Sequence, residues 1–230
     1  MKYIPFLVVV NFISFAITSV VAGPNVIPDV RNFSIVVNYE GNQHEIDDDC
    51  IPPGPHNVLR FDFVLQNIGN ADFVIGRPID QPDLFYYSIA HQHYHMKQFN
   101  QYKLYDTGGN LVVPSLKPGF CLADVERLFD NAVQPQFSLT CASDQVMGIS
   151  VGWADVYYAD LDCQFLVMDG VPDGDYTLVA TANTAKAVPE DSFDDNTVCR
   201  GLHIEGNTVY ELDVLPIFLT ECPYVAKTLH

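Results

Sequence analysis

Basic side chains are scarce in this chain of 230 residues. Lysine and arginine together number 11 against 29 aspartates and glutamates, so the formal net charge is −18. A field of that sign repels nucleic acid and anionic membrane surfaces, and it attracts cations. The composition therefore argues against a nucleic-acid-binding protein and favours a cationic partner or substrate. Taken alone, the charge is explained more simply by the solubility of an exported protein.

Closely spaced cysteines are absent. No C-x-x-C pair occurs, which argues against a zinc knuckle or a thioredoxin-like redox motif. An even number of cysteines in an exported chain instead predicts up to three disulfides, drawn from fifteen possible pairings. The six cysteines are Cys50, Cys121, Cys141, Cys163, Cys199 and Cys222.

Long apolar runs are lacking beyond residue 22. Residues 1–22 contain one basic residue, then an apolar run, then a small-residue ending at Ala22, which is the layout of a secretory signal peptide. We expect cleavage after Ala22, a secreted extracellular protein, and no membrane insertion after cleavage. The alternative is an uncleaved anchor helix, because the run approaches the ~20 residues that span a bilayer.

A long amphipathic helical pattern is also missing. Short stretches that alternate apolar and polar residues, such as 58–76, are separated by turn residues. Hairpins are predicted around Gly108-Gly109 and over residues 196–215. The sequence therefore predicts a mainly β fold, an antiparallel β-sandwich with long loops and at most one or two short helices, stapled by disulfides.

Two segments receive a specific local prediction. Residues 120–130 predict a short helix, because Leu122, Val125 and Leu128 have helical spacing. The acidic stretch 44–57, HEIDDDCIPPGPHN, predicts a loop.

Three histidines alternate in the stretch HQHYHMKQF. In a strand, the two-residue period puts His91, His93 and His95 on one side in steps of ~7 Å, whereas on a helix they would fan out. Three neutral imidazoles suit copper, zinc, iron or nickel, and they leave coordination positions open for a reactant. The alternative is a histidine-rich strand whose rings are solvated or bonded to neighbours.

The segment AHQHYHMKQFNQYKLYD resembles the copper-binding segment of the lysyl oxidase family, copper amine oxidases that oxidise peptidyl lysine. The resemblance continues upstream in LRFDFVLQNIGNADFVIGRP. Downstream it includes KPGFCLAD, DVYYADLDCQFLVMDGVPDGDYTL and VPEDSFDDNTVCR in the family's order, so that it spans residues 58 to 200. It implies that residues 23–57 are an N-terminal extension with an acidic loop and that residues 58–230 are a lysyl oxidase-like catalytic domain.

The resemblance also implies two cofactors. Copper(II) would bind to the three histidines, and a lysine tyrosylquinone would form from Lys117 of KPGFCLAD and Tyr157 of DVYYADLDC. Tyr158 replaces a small residue of the family pattern, but the register of the following residues favours Tyr157. Asp155, two residues before Tyr157, is the candidate base, with Asp160 and Asp162 as rivals.

The implied function is oxidative deamination of primary amines to aldehydes, with release of ammonia and hydrogen peroxide. Lysine side chains of extracellular proteins are among the candidate substrates. One alternative is a non-catalytic extracellular copper-binding β-sandwich module, in which Lys117 is a loop lysine and Tyr157 an ordinary sheet aromatic. Another is a zinc or iron enzyme with a cupin-like barrel, but that site expects a glutamate shortly after the histidines, and MKQFNQYKLYD has none.

The chain departs from the family pattern at two cysteines. Family members have a cysteine where this chain has Ala90 and another where it has Trp153. With those two missing, the family's disulfide pattern does not transfer directly. The pairs expected here are Cys121 with Cys141, Cys199 with Cys222, and Cys50 with Cys163.

Overall fold

The computed structural model describes residues 23–89, 92–119, 121–140 and 142–222, with the backbone alone described for residues 115–119. The predicted signal peptide, His91 and Cys141 lie outside the described residues. Within these ranges the chain forms one α-helix, α1 (Gln43–Asp47), a 3₁₀ turn (Pro78–Asp80) and thirteen strands. The strands are β1 (Val26–Glu40), β2 (Pro55–Asn67), β3 (Phe73–Gly76), β4 (Phe85–Ser88), β5 (His93–Asp106), β6 (Leu111–Gly119), β7 (Glu126–Arg127), β8 (Met147–Ile149), β9 (Trp153–Tyr157), β10 (Phe165–Val167), β11 (Gly174–Thr181), β12 (Thr197–Glu205) and β13 (Thr208–Leu212).

Two antiparallel sheets carry most of the strands. The first has the order β1-β2-β9-β7, with β10 also paired to β2. The second has the order β13-β12-β11-β5-β4, with β6 also paired to β5, and β3 and β8 form a separate two-stranded sheet. The ring of Tyr102 from the second sheet lies 4.9 Å from Phe61 and 5.4 Å from Phe63 of the first, measured between ring centroids. The two large sheets therefore pack face to face, and the predicted antiparallel β-sandwich is confirmed.

Strand β2 runs through the centre of the first sheet and is buried on both faces. Phe61, Phe63 and Leu65 belong to the core between the sheets. On the opposite face, Val58 packs with a small cluster near α1, and Val64 packs with another beside β9. A central strand covered on both faces explains why its sequence is more apolar than simple alternation requires.

The predicted helix over residues 120–130 is wrong. The described part of this segment is irregular except for the two residues of β7. The backbone N–H of Val125 donates to the carbonyl of Ala154 at 2.9 Å, and that of Leu128 donates to the carbonyl of Gly152 at 2.9 Å. These donors are used by the neighbouring strand, so they are not available for hydrogen bonds within a helix.

The only α-helix of the described residues falls where a loop was predicted. Asn42 caps α1 by accepting from the backbone N–H of Glu45 at 3.0 Å, and the Glu45 carboxylate accepts from the backbone N–H of Asn42 at 3.0 Å. This reciprocal capping box is a known start signal. The spacing Asn42-x-x-Glu45 could therefore have identified the helix from the sequence.

Two predicted disulfides are confirmed, Cys50–Cys163 with Cα atoms 5.4 Å apart and Cys199–Cys222 with Cα atoms 5.8 Å apart. Cys121 is also disulfide-bonded. The predicted hairpins are confirmed as β5–β6 and β12–β13. In the described ranges no helix is long and apolar enough to cross a membrane.

Candidate active site

The histidine motif forms the start of β5. Its strand period puts His93 and His95 on one face, and their Nε2 atoms lie 3.0 Å apart, with ring centroids 4.8 Å apart. His95 is fully buried, whereas His93 is half-buried. Two imidazoles that present Nε2 to the same small volume are suited to bind one metal ion. Among residues 23–89, 92–119, 121–140 and 142–222, no cluster of three or more His, Cys, Asp or Glu side chains could do so.

Strand β4 supports the two rings from the side. Tyr86 is paired with His95 and Ser88 with His93 in the antiparallel register. The Tyr86 hydroxyl lies 3.2 Å from Nδ1 of His95, and the two rings meet edge to face at 5.4 Å. A partner on Nδ1 fixes the ring and leaves Nε2 for a metal, which is the usual arrangement around metal-binding histidines.

A carboxylate lies over the same face of β4. The Ser88 hydroxyl donates to Asp48 at 3.4 Å. Burial raises the pKa of Tyr86 to about 12, and the charge of Asp48 contributes to the rise. Tyr86 therefore stays a neutral phenol beside His95 across the physiological range.

A groove of about 350 Å³ adjoins His93. None of the described side chains that line it is an acid, a lysine or an arginine, and two are tyrosines, Tyr87 and Tyr94, whose rings meet edge to face at 5.3 Å. The lining residues are Ile79, Tyr87, Gln92, His93, Tyr94, Thr140, Ala142 and Ser143. Such a surface can receive an organic cation through its aromatic faces.

The second part of the site is on β9, inside the sandwich. Tyr157 and Asp155 are each 2% exposed, and the strand period puts both on the inner face. Tyr157 is paired with Phe63 of β2, at 6.2 Å between ring centroids, and Asp155 is paired with Leu65. An ionisable carboxyl in this apolar setting is unusual and needs a reason.

Asp155 has a strongly shifted proton affinity. Burial raises the pKa of Asp155 to about 8, although the Tyr157 hydroxyl and the backbone N–H groups of Val156 and Ala123 act in the opposite direction. A carboxyl with this pKa can both take up and release a proton near neutral pH.

The structure distinguishes Asp155 and Tyr157 from their sequence rivals. Tyr158 is 41% exposed, and its hydroxyl points to Glu126 at 3.4 Å. Asp160 is exposed, and Asp162 accepts from the Asn42 amide at 2.8 Å. Neither acid faces the interior beside Tyr157.

Lys117 lies on β6, where its backbone is paired with that of Asn100 on β5. Asn100 is fully buried, as is Tyr102, whose hydroxyl donates to Gln164 at 3.2 Å. Charge on Asp155 raises the pKa of Tyr102 beyond the effect of burial, so the two groups are neighbours. The register position of Lys117 is therefore opposite Asn100, two residues from Tyr102, which is a neighbour of Asp155.

The structure thus brings together His93 with His95 and Asp155 with Tyr157. The supporting side chains were missed by sequence reasoning: Tyr86, Ser88, Asn100, Tyr102 and Gln164. A hairpin signal was available for the first two, since Tyr86 and Ser88 alternate on β4 as His93 and His95 do on β5, across the short connection 89–92.

Fold and site define a class of protein: a disulfide-linked β-sandwich with a convergent imidazole pair on one strand and a buried carboxyl–phenol pair on another. A family model described as lysyl oxidase matches residues 36–213. The chain belongs to the lysyl oxidase family.

Several curated proteins are similar to the chain. Lysyl oxidase homolog 2 of Gallus gallus is 36% identical over 152 residues, which cover 65% of this chain and 19% of that protein. Lysyl oxidase homolog 3B of Danio rerio is 32% identical over 160 residues, covering 69% and 19%. Lysyl oxidase homolog 4 of Mus musculus is 33% identical over 151 residues, covering 65% and 19%. The matched region spans about a fifth of the length of these relatives.

Proposed function

We propose that the protein is a secreted, copper-dependent amine oxidase. In this reaction a primary ammonium ion, dioxygen and water give an aldehyde, an ammonium ion and hydrogen peroxide, in equal numbers. Membership of the lysyl oxidase family supports the general activity. The observation that carries the specific proposal is the buried pair of Asp155 and Tyr157, an acid–base group beside a phenol inside the sandwich.

His91, His93 and His95 would hold copper(II). The 3.0 Å approach of two Nε2 atoms and the neutral nitrogen donors both fit this ion. When bound, copper would supply the redox chemistry that lets dioxygen react with a phenol. Tyr86 would keep the His95 ring in the orientation that directs Nε2 towards the ion.

Lys117 and Tyr157 would together form a lysine tyrosylquinone, whose carbonyl chemistry condenses with a primary amine. Nζ of Lys117 would bond to the Tyr157 ring, which also gains one oxygen atom. Two dioxygen molecules would supply the added oxygen atom and take up the four hydrogens lost, which gives one water and one hydrogen peroxide. Burial of Tyr157 and the pairing of Lys117 with Asn100 support this assignment.

Asp155 would accept the α-proton of the bound amine. Its pKa of about 8 lies near the working range, where a general base is most effective. Asp155 lies on the inner face beside Tyr157 and would therefore be near groups attached to that ring. Asp160 is exposed and Asp162 is bonded to Asn42, so neither has this position.

The substrate would be a cationic primary amine, with lysine side chains of extracellular proteins as the leading candidates. The net charge of −18 attracts such cations. The groove beside His93, whose described lining has two tyrosine rings and no Asp, Glu, Lys or Arg, offers a surface on which an ammonium group can lie.

The test is to secrete the full chain from cells supplied with copper and to measure three quantities: bound copper, quinone absorption with its phenylhydrazine adduct, and hydrogen peroxide released with a primary amine. Lys117→Ala and Tyr157→Phe should abolish absorption and peroxide while copper remains bound. The matched control is Tyr158→Phe, which alters the exposed neighbour and should keep both signals. If the unmodified chain binds copper but forms no quinone, the protein is a copper-binding module and not an oxidase.

A further inference from the structure

Asn100 is a buried polar side chain without a hydrogen bond. It is fully buried on β5, and among the described residues neither its Nδ2 nor its Oδ1 has a partner. An amide taken out of water without a hydrogen-bond partner destabilises the folded protein. Buried polar groups are otherwise nearly always paired, so this position needs an explanation.

The neighbours of Asn100 do not use its amide. Tyr102, two residues along the same face, donates to Gln164 at 3.2 Å, and Gln164 in turn donates to the carbonyl of Phe61 at 3.0 Å. The Asn100 amide is near enough to lower the pKa of Tyr102, but the two side chains are not in hydrogen-bonding geometry. Asn100 thus makes no hydrogen bond with its amide among the described residues, whereas Tyr102 and Gln164 are both hydrogen-bonded.

The position of Asn100 relates it to both parts of the proposed quinone. Its register partner is Lys117. Tyr102, two residues further along β5 on the same face, is a neighbour of Asp155. Asp155 in turn interacts with the Tyr157 hydroxyl. The unpaired amide is therefore linked by register to the backbone position of Lys117 and, through Tyr102 and Asp155, to Tyr157.

We infer that the Asn100 amide binds the Lys117–Tyr157 cofactor, with Nδ2 donating to a ring oxygen and Oδ1 accepting from the N–H of the cross-link. An asparagine amide offers both kinds of group on one planar head. The cofactor would present ring oxygens that accept and one N–H that donates. Asn100 would hold the ring in one orientation relative to Asp155. This inference rests on the proposed function.

The test uses the variant Asn100→Leu, which keeps the approximate size of the side chain and removes its polar atoms. In the copper-free protein the variant should unfold at an equal or higher temperature, because an unpaired polar group has been removed. In the copper-loaded protein, the rate at which the cross-linked Lys117–Tyr157 peptide appears by mass spectrometry should fall roughly 2–10-fold, the equivalent of one hydrogen bond. The absorption maximum of the residual quinone should also shift.

Thr177→Val is the matched control. Thr177 is fully buried, its Oγ1 has no partner among the described residues, and it lies on the outer face of the second sheet, paired with Tyr105. This variant should give the same gain in unfolding temperature and leave cross-linking unchanged. If Asn100→Leu is not secreted, Asn100→Ala provides the same two readings.

The outcomes separate the two proposals. No cross-link in the unmodified chain overturns the proposed function, and the inference about Asn100 with it. Normal cross-linking in the unmodified chain together with an unchanged rate and an unchanged spectrum in the Asn100 variant overturns the inference alone. A slower rate in both the Asn100 and Thr177 variants would also overturn it, since the effect would then come from the fold.

Discussion

The two parts of the candidate site are built in opposite ways. The histidine pair is on the first residues of β5, beside the four-residue strand β4, with a half-buried His93 next to an open groove. The Asp155–Tyr157 pair is in the middle of the first sheet, closed between two layers. The first part is open to solvent at His93, whereas the second is buried between the two sheets. The difference teaches that copper binding should survive the loss of the quinone, whereas the quinone, which needs copper to form, should not survive the loss of copper.

The largest expected effect is that substitutions in the two parts change copper binding and amine oxidation differently. Tyr157→Phe should remove all amine oxidation and leave copper affinity unchanged, because the buried phenol is not a proposed ligand. His93→Ala should instead lower copper affinity and prevent the quinone from forming. Copper content by metal analysis and peroxide release by a coupled assay measure the two effects. Loss of copper from the Tyr157→Phe protein would contradict the separation of the two parts.

Asp155→Asn should reduce kcat by about 10²–10⁴, the usual contribution of a general base. It should also change the pH dependence of stability. Burial raises the pKa of Asp155 to about 8 in the folded protein, above ~3.9 in an unfolded chain. Between those values the folded state binds more protons at Asp155 than the unfolded state does, so the contribution of Asp155 to stability is fully present below about pH 4 and is lost as the pH rises to about 8.

The measurement is urea unfolding of the copper-free protein at about pH 5 and about pH 8. The unmodified chain should lose a few kcal/mol between them, on the scale of ~1.4 kcal/mol per unit of pKa shift, and the asparagine variant should lose much less. Equal losses in the two proteins would mean that Asp155 is not the group that titrates and would contradict the effect of burial on its pKa.

Tyr86→Phe tests the support of the exposed part. The variant loses the 3.2 Å contact with Nδ1 of His95 and keeps the ring. Copper affinity, measured by competition with a chelator, should fall about 10–100-fold, which is typical for removal of a partner of a metal-binding histidine. Tyr87→Phe, at the exposed neighbour, should leave the affinity unchanged. Equal affinities in all three proteins would show that β4 does not orient the histidine.

The smallest expected effect is on substrate binding in the groove. Tyr87→Ala should raise KM for a primary amine about 2–5-fold at constant kcat, because an exposed cation–π contact is worth about 0.5–1 kcal/mol. Ile89→Ala, which changes an exposed apolar side chain that is not part of the groove lining, should have no effect. A change in kcat instead would indicate that the groove takes part in chemistry, and the division between the two parts would be less sharp.

Local periodicity was sufficient to predict much of the fold and part of the site. The alternation of His93 and His95 is a property of one strand, and the structure keeps it. The hairpin at Gly108-Gly109 was equally accessible, because turn residues act over a few positions. The spacing of Leu122, Val125 and Leu128 misled, since hydrogen bonds to residues 152 and 154, distant in sequence, decide the conformation of that segment.

The position opposite Lys117 could not be predicted, because it depends on an irregularity. Counting from the pair Met96–Gly119 would set Lys117 opposite Gln98. The register shifts between Met96 and Asn100, where Gln98 has a φ of 48°, and Lys117 is paired with Asn100 instead. A bulge of this kind changes the face on which the following side chains lie, and no residue type in the stretch predicts it.

The disulfide Cys50–Cys163 has a consequence for how the protein is made. Its partners are 113 residues apart, and every candidate site residue from His93 to Tyr157 lies inside the loop it closes. The ribosome must therefore finish the whole site before this bond can form, and thiol oxidation has to happen in a compartment that permits it. Production in a reducing bacterial cytoplasm would deliver the chain with this loop open, so a secretory host is the appropriate choice for every measurement above.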